Sequence, residues 1–193
     1  MKILFISLGC DKNLADSEEM LGLLTGNGHE IVDSEEEADA IVINTCCFIH
    51  NAKEESVNTI LEMAEYKKTG TCKILIVTGC MAQRYKEEIT EEIPEVDAVL
   101  GTTSYGDIVK ALNEAEVGHV FREFKDINAL PEDSGRRVIT TGGHFGYLKI
   151  AEGCDKHCTY CIIPSLRGKF RSVPEERLLK PVSYTHLTLP TIL

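Results

Sequence analysis

The amino-acid sequence predicts an α/β fold built on an open, parallel β-sheet, and two observations carry this prediction. First, four short runs rich in Ile, Val and Leu are too continuous for half-exposed strands, which is typical of buried parallel strands; they cover residues 2–8, 40–44, 73–78 and 98–100. Second, the intervening segments carry apolar residues at helical spacing, over residues 16–25, 52–68, 82–89 and 106–113. Strands and helices therefore alternate along the chain, as they do in α/β proteins.

This alternation ends near residue 115, so we expect residues 1–115 to form the amino-terminal α/β domain. Residues 116–143 are irregular and contain Gly142 and Gly143 side by side, which predicts a linker. A second unit is expected over residues 144–180, beginning with a strand at 147–150 and continuing to the start of a helix near Glu175. The last segment, 181–193, has no Asp, Glu, Lys or Arg and is interpreted as a non-native tail.

Composition narrows the functional classes. The chain has 193 residues, of which 43% are hydrophobic and 26% charged, enough for an ordinary core. No apolar run approaches the roughly 20 residues of a membrane span, so we expect a cytoplasmic protein without a membrane partner. We also expect a monomer. The net charge of -11 disfavours general nucleic-acid binding. Eight cysteines in a reducing compartment favour metal binding or catalysis over disulfides.

Three of these cysteines follow predicted strands. Cys10, Cys46 and Cys80 each lie just after an apolar run, and the carboxyl ends of parallel strands share one edge of a sheet. We therefore expect the three thiols to converge there on a metal centre, although a single cysteine at such a position is more often a core residue. Cys47 and Cys72 do not fit this placement and are predicted to be structural or free thiols.

The other three cysteines form a compact motif. Cys154, Cys158 and Cys161 are separated by three and two residues, which lets one loop hold three corners of a cubane iron-sulfur cluster. A zinc site with His157 as fourth ligand is one alternative, and an electron-transfer ferredoxin is another. Downstream, Arg167, Lys169 and Arg171 are expected either to meet carboxylates or phosphates or to be a solvated basic stretch.

The Cys154 motif, with Tyr160 before its last cysteine, resembles the cluster motif of radical S-adenosylmethionine enzymes. Preceded by Cys10, Cys46 and Cys80, it resembles the methylthiotransferase family, which combines two such cluster sites. The stretches "SLGCDKNLADSE" (7–18) and "CIIPSLRG" (161–168) are similar to the branch that modifies an aspartate of a small-subunit ribosomal protein. The branch that modifies adenosine in tRNA is the alternative, as is a non-enzymatic iron-sulfur or zinc module.

This resemblance implies two 4Fe–4S clusters, one on each set of three cysteines, with S-adenosyl-L-methionine bound at the Cys154 loop and Tyr160 packed near its adenine. It also implies an electron donor and a ribosomal protein substrate. Residues 144–180 then become the start of a radical-SAM (β/α) barrel, a fold that needs on the order of 200 residues or more. We therefore expect the chain to be truncated at its carboxyl end, inactive by itself, and without partners for the apolar residues of its second unit.

Overall fold

A computed structural model describes residues 1–132, 135, 137–142 and 144–179, and its centre is a parallel β-sheet of six strands. The strands are β1 (Lys2–Ser7), β2 (Glu30–Val32), β3 (Ala40–Thr45), β4 (Ile74–Gly79), β5 (Ala98–Leu100) and β6 (Phe121–Glu123). Their spatial order is β2-β1-β3-β4-β5-β6, and every pair is parallel. The predicted α/β class and open parallel sheet are confirmed.

Helices follow the strands along the chain. They are α1 (Asp11–Gly26), α2 (His50–Thr69), α3 (Cys80–Arg84), α4 (Lys86–Glu92) and α5 (Ile108–Glu116), with 3-10 turns at Glu35–Glu37 and Tyr105–Asp107. The helix predicted over 82–89 is two helices, because Tyr85 leaves helical geometry at φ -120° and ψ 39°. Helix α1 begins directly after Cys10, earlier than the apolar pattern predicts, because its first two turns bury polar side chains.

The core lies on both faces of the sheet. Alternate residues of the central strand β3 point to opposite sides, with Ile41 and Ile43 in one apolar cluster and Val42 in the other. Helices α2, α3 and α4 cover the first face, while α1 and α5 cover the second. All six residues of β3 and of β4 are buried, as expected for strands covered on both faces.

The sheet has two edge strands that the sequence does not predict. Strands β2 and β6 are only three residues long, and each contains a charged residue, so neither shows a continuous apolar run. Strand β6 lies within residues 116–143, where we expect irregular structure, and it pairs with β5. The division of the chain into domains stays a prediction, although the sheet itself extends beyond residue 115.

The second unit differs from expectation at its first strand. Residues 147–150 are not a strand; the chain enters a short antiparallel pair only at β7 (Ala151–Glu152), which pairs with β8 (Arg171–Ser172). Between them lies one short helix, α6 (Ile163–Arg167). Residues 175–179 are helical, in agreement with the expected helix start, whereas residues 180–193, including the predicted tail, lie outside the described residues.

The second unit is better packed than expected. Leu166 is buried in the core cluster that contains Ile41, and its carbonyl accepts a hydrogen bond of 2.7 Å from Thr102 Oγ1. Ile150, by contrast, is 62% exposed, as the absence of a neighbouring strand predicts. Among the described helices, none is both long and apolar enough to cross a lipid bilayer.

Candidate functional site

Cys10, Cys46 and Cys80 meet at one edge of the sheet. Each follows the carboxyl end of a neighbouring strand, in the order β1, β3 and β4. After β1 the chain passes to β2 on one side and returns to β3 on the other, so the first two cysteines flank the point at which strand order reverses. Open α/β sheets bind ligands at this point. One cavity of about 1020 Å³ is lined by all three cysteines.

Two glycines let the backbone approach closely beside these thiols. Gly9 has φ 92°, and a Cβ atom there would lie 2.5 Å from Cys46 Cβ and 2.8 Å from Cys46 Sγ. Gly79 has the same φ, and a Cβ atom there would lie 2.5 Å from the carbonyl oxygen of Thr45. Side chains at these positions would clash and would adopt strained backbone angles. The two glycines therefore fix the loops that carry Cys10 and Cys80.

The three thiols differ in burial. Cys10 is exposed, whereas Cys46 and Cys80 are 5% and 6% exposed. Burial raises the pKa of Cys80, while the charge and hydrogen bonding of Arg167 partly oppose this effect. The Cys80 thiol donates to Asn13 Oδ1 at 3.7 Å. A buried thiol beside a cation loses its proton on binding a metal more readily than a thiol in purely apolar surroundings.

Cys47 and Cys72 are buried in the same core cluster as Cys80 but do not line the cavity. Both are buried in the apolar cluster on the α2 face of the sheet. Burial raises the pKa of Cys47 to about 11, and it also raises the pKa of Cys72, whose thiol donates to the carbonyl of Ile74 at 3.4 Å. Neither residue lines the cavity that the other three cysteines share. These surroundings agree with the expectation of structural thiols.

Cys154, Cys158 and Cys161 lie in the loop between β7 and α6. Cys158 is exposed, and the other two are half-buried. The N–H of Cys154 donates to the carbonyl of Gly168 at 3.1 Å, and the N–H of Cys161 donates to the carbonyl of Cys158 at 3.0 Å. The three cysteines do not line the cavity of the first set, although the preceding Gly153 does. The two cysteine groups therefore belong to adjoining but separate sites.

The other residues predicted for this loop are open to solvent. Tyr160 is 90% exposed, so its ring is available to a ligand and packs against no core. His157 is exposed and adopts φ 48°. Within the described part of the chain, no three His, Cys, Asp or Glu side chains are arranged to hold a single metal ion.

A polar network joins the second unit to α1. Arg167, 4% exposed, donates from Nη1 to Asp16 Oδ2 at 2.7 Å and to Glu152 Oε1 at 3.1 Å. Lys149 forms ion pairs with the same two carboxylates, and its Nζ atom lies 2.7 Å from Glu152 Oε1. Arg167 also donates from Nη2 to Asn13 Oδ1 at 2.6 Å. These five residues, which we call the junction network, connect the two cysteine sites.

The charges of the junction network stabilise one another. Burial is the largest single effect on Arg167 and disfavours its charged form, but the neighbouring groups, Asp16 first among them and Glu152 after it, together outweigh burial and raise the pKa of Arg167 well above its ordinary value. Lys149 behaves in the same way: burial lowers its pKa, but Asp16, Tyr105 and Glu152 together outweigh burial and raise it. The pKa of Glu152 is lowered, because Lys149 and Arg167 outweigh the effect of its burial. Buried ion pairs of this kind tolerate the loss of one partner poorly.

Sequence reasoning identified only one member of the junction network. Arg167 was among three basic residues expected either to meet carboxylates or to be solvated, and it meets two carboxylates. Lys169 is exposed, and Arg171 donates to the backbone carbonyls of Arg167 and Lys169. Asp16 gave no signal of its own, because six of the eight residues 11–18 are polar and only the folded chain shows that four of these six are buried.

Comparison with known proteins decides the family. The family model described as "Uncharacterized protein family UPF0004" matches residues 2–101, which is more than half of the chain. The chain belongs to the UPF0004 family. The matched region of this UPF0004 protein contains Cys10, Cys46 and Cys80 together with strands β1 to β5.

Curated relatives of this UPF0004 protein carry the name ribosomal protein uS12 methylthiotransferase RimO. The relative from Lachnoclostridium phytofermentans is 64% identical over 184 residues, covering 95% of this chain and 42% of the relative. Those from Clostridioides difficile and Desulforamulus reducens are 51% and 50% identical, covering 93% and 90% of this chain but only 40% and 39% of the relatives. The resemblance to methylthiotransferases is confirmed, and the chain spans about two fifths of these relatives.

Proposed function

We propose that this UPF0004 protein is a radical S-adenosylmethionine methylthiotransferase that places a methylthio group on an aspartate of ribosomal protein uS12. The observation that carries the proposal is the meeting of Cys10, Cys46 and Cys80 around one cavity, beside a loop with three further cysteines. The relatives' name, ribosomal protein uS12 methylthiotransferase, supports both the transfer of a methylthio group and the substrate. Turnover in this proposal also requires the part of those relatives that lies beyond the matched region.

The donor sets fit two iron-sulfur clusters. Three thiols around one cavity match the thiolate ligation of such clusters, and a cluster needs ligands spread more widely than a single ion does. In this proposal Cys10, Cys46 and Cys80 would hold one 4Fe–4S cluster, and Cys154, Cys158 and Cys161 would hold the other, at which S-adenosyl-L-methionine would bind. When bound, these groups supply radical cleavage of an unactivated C–H bond and the sulfur and methyl group for the product.

The residues around the cavity provide the surroundings for this chemistry. Apolar side chains on its wall, including Ile163 and Leu166, limit the access of water to the buried thiols Cys46 and Cys80. The exposed ring of Tyr160 is free to pack against the adenine of the cosubstrate. Phe48 and Ile49, both more than half exposed at the cavity rim, are suited to contact the protein substrate.

The partners in this proposal are uS12 and a protein or small-molecule electron donor. Because uS12 is a ribosomal protein, the proposal places the enzyme in the cytoplasm. We also propose that it acts as a monomer. The exposed thiol of Cys158 gives a donor's electron a short route to the Cys154 loop.

A chimera tests the proposed function. Residues 1–179 of this chain replace the corresponding part of the Lachnoclostridium phytofermentans relative, and the anaerobically reconstituted chimera is incubated with S-adenosyl-L-methionine, a reductant and purified uS12. Mass spectrometry should find one methylthio group in place of one hydrogen on a uS12 aspartate. Two variants form a matched control: Cys80→Ala should abolish the modification, while Cys72→Ala should retain it.

Three results would contradict the proposal. Modification of tRNA adenosine and not of uS12 would assign the chain to the alternative substrate. Iron binding without modification of either substrate would favour an electron-transfer or structural module. Equal activity of the Cys80→Ala and Cys72→Ala chimeras would show that the cavity thiols are not the ligands.

A further inference from the structure

Asn13 lies at the centre of the contacts between the two cysteine sites. Its side-chain amide donates to the carbonyl of Leu8 at 3.0 Å and to that of Thr45 at 2.8 Å, just before Cys10 and Cys46. Its Oδ1 atom accepts hydrogen bonds from Cys80 Sγ and from Arg167 Nη2. One buried side chain thus touches the loops of Cys10 and Cys46 and the Cys80 thiol, and both of its polar atoms have hydrogen-bond partners.

Arg167 extends these contacts to the Cys154 loop. Its guanidinium binds Asp16 on α1 and Glu152 on β7, two residues before Cys154. The next residue, Gly168, accepts the hydrogen bond from the N–H of Cys154. A path of hydrogen bonds therefore runs from Cys154 to Gly168, through the adjoining Arg167 to Asn13, and from Asn13 to the Cys80 thiol.

We propose that Arg167 is a positioning residue: it fixes the Cys154 loop against the sheet edge of Cys10, Cys46 and Cys80 and so sets the separation of the two clusters. This inference rests on the proposed function, because it needs both sites to hold clusters. Separation matters to the proposed reaction, since a substrate carbon must lie within reach of both groups. Small displacements of reacting groups reduce rates strongly.

An arginine suits this position for a geometric reason. Its planar guanidinium donates from two nitrogens at fixed angles, so one side chain can bind a carboxylate and Asn13 together. A lysine would keep the charge but has one nitrogen and no fork. The flanking Lys169 offers a matched control, because it is an exposed cation and its own backbone N–H, not its side chain, binds Asn128.

The experiment compares the reconstituted chain with its Arg167→Gln, Arg167→Lys and Lys169→Gln variants. In the unaltered chain, electron paramagnetic resonance of the fully reduced protein should show broadening from magnetic coupling between two nearby clusters. Arg167→Gln should keep the iron content of both sites but lose most of this broadening. It should also lose hydrogen-exchange protection at the amide of Cys154. Arg167→Lys should give an intermediate coupling, and Lys169→Gln should match the unaltered chain.

Two further variants keep the test decisive. If Arg167→Gln does not fold, Arg167→Lys retains the buried charge and still removes the fork. The double variant Asp16→Asn/Arg167→Gln restores the charge balance of the junction network, yet it should not restore the coupling, because the link to Asn13 is absent. Recovery of full coupling in the double variant would overturn the positioning role, since charge balance alone would then explain it.

The outcomes separate this inference from the proposed function. If the unaltered chain binds no iron, the proposed function fails and the inference fails with it. If the unaltered chain binds two clusters and Arg167→Gln leaves both coupling and exchange unchanged, only the positioning role is wrong. If Arg167→Gln loses iron from one site while the other stays loaded, Arg167 supports that site alone and does not set a separation.

Discussion

Replacing Gly79 with alanine should destabilise the fold and displace Cys80. Gly79 has φ 92° and ψ -157°, a combination that only glycine adopts readily. An added Cβ atom would lie 2.3 Å from Asn44 Oδ1 and 2.5 Å from the carbonyl oxygen of Thr45. Both neighbours are buried at the end of β3, so neither can move without disturbing the sheet.

Two costs add in this variant. The backbone conformation should cost about 1–3 kcal/mol. Forcing a methyl group against buried main chain should cost about 1–3 kcal/mol more. The sum of about 2–6 kcal/mol is a large share of the 5–15 kcal/mol or so that typically stabilises a domain. Gly28 is a matched control, because it has φ 84° but nothing within 4 Å of an added Cβ atom. Gly28→Ala should therefore cost only about 1–2 kcal/mol, from backbone strain alone.

Urea denaturation followed by far-ultraviolet circular dichroism measures both variants. Gly79→Ala should lower the free energy of unfolding clearly more than Gly28→Ala does, and it should also lower the iron bound after reconstitution. Equal losses of stability in the two variants would refute the close approach at Gly79. A large loss of stability with full iron binding would show that Cys80 does not depend on this turn.

The remaining predictions concern individual thiols. Iron analysis should find half the bound iron when all three cysteines of the Cys154 loop are changed to alanine; these are Cys154, Cys158 and Cys161. An unchanged iron content would show that this loop does not hold a cluster. Cys47→Ala and Cys72→Ala should leave the iron content unchanged. A clear loss of iron in either variant would show that the altered cysteine is a cluster ligand. Because burial raises the pKa of Cys47 from 9.0 to about 11, iodoacetamide at pH 8 should modify Cys158 and spare Cys47 in the iron-free chain, as read by mass spectrometry. The same shift should reduce stability as pH rises above 9, where the unfolded thiol ionises and the folded one does not, and Cys47→Ala should remove that part of the pH dependence.

The central sheet could be predicted because its strands are buried on both faces. Strands such as β3 and β4 read as continuous apolar runs, and the cysteines after them were therefore assigned to a common edge. The short edge strand β6 could not be predicted, since it is three residues long and only half-buried. Strand β6 pairs with β5, and this pairing depends on the rest of the sheet, so the local sequence does not predict it.

The junction network shows why the rest of the site was missed. Asp16 and Arg167 are 151 residues apart in sequence, and neither charge is unusual by itself. A buried carboxylate becomes favourable only when its cation arrives from a distant segment. Asn13 could not be predicted either, because its role depends on contacts with three loops that meet only in the folded chain. The cysteines could be found from spacing and strand ends, whereas the residues that connect them needed the folded chain.

Anaerobic reconstitution with iron and sulfide, followed by iron and sulfide analysis and electron paramagnetic resonance, tests the central claim most directly. The purified chain should bind two 4Fe–4S clusters. Cys10→Ala/Cys46→Ala/Cys80→Ala should remove one cluster, and the signal of the Cys154 loop should remain and change when S-adenosyl-L-methionine is added. Binding of only one cluster by the unaltered chain, with no loss of iron when the first three cysteines are changed, would contradict the assignment of two cluster sites. Preferential binding of zinc under the same conditions would also contradict it.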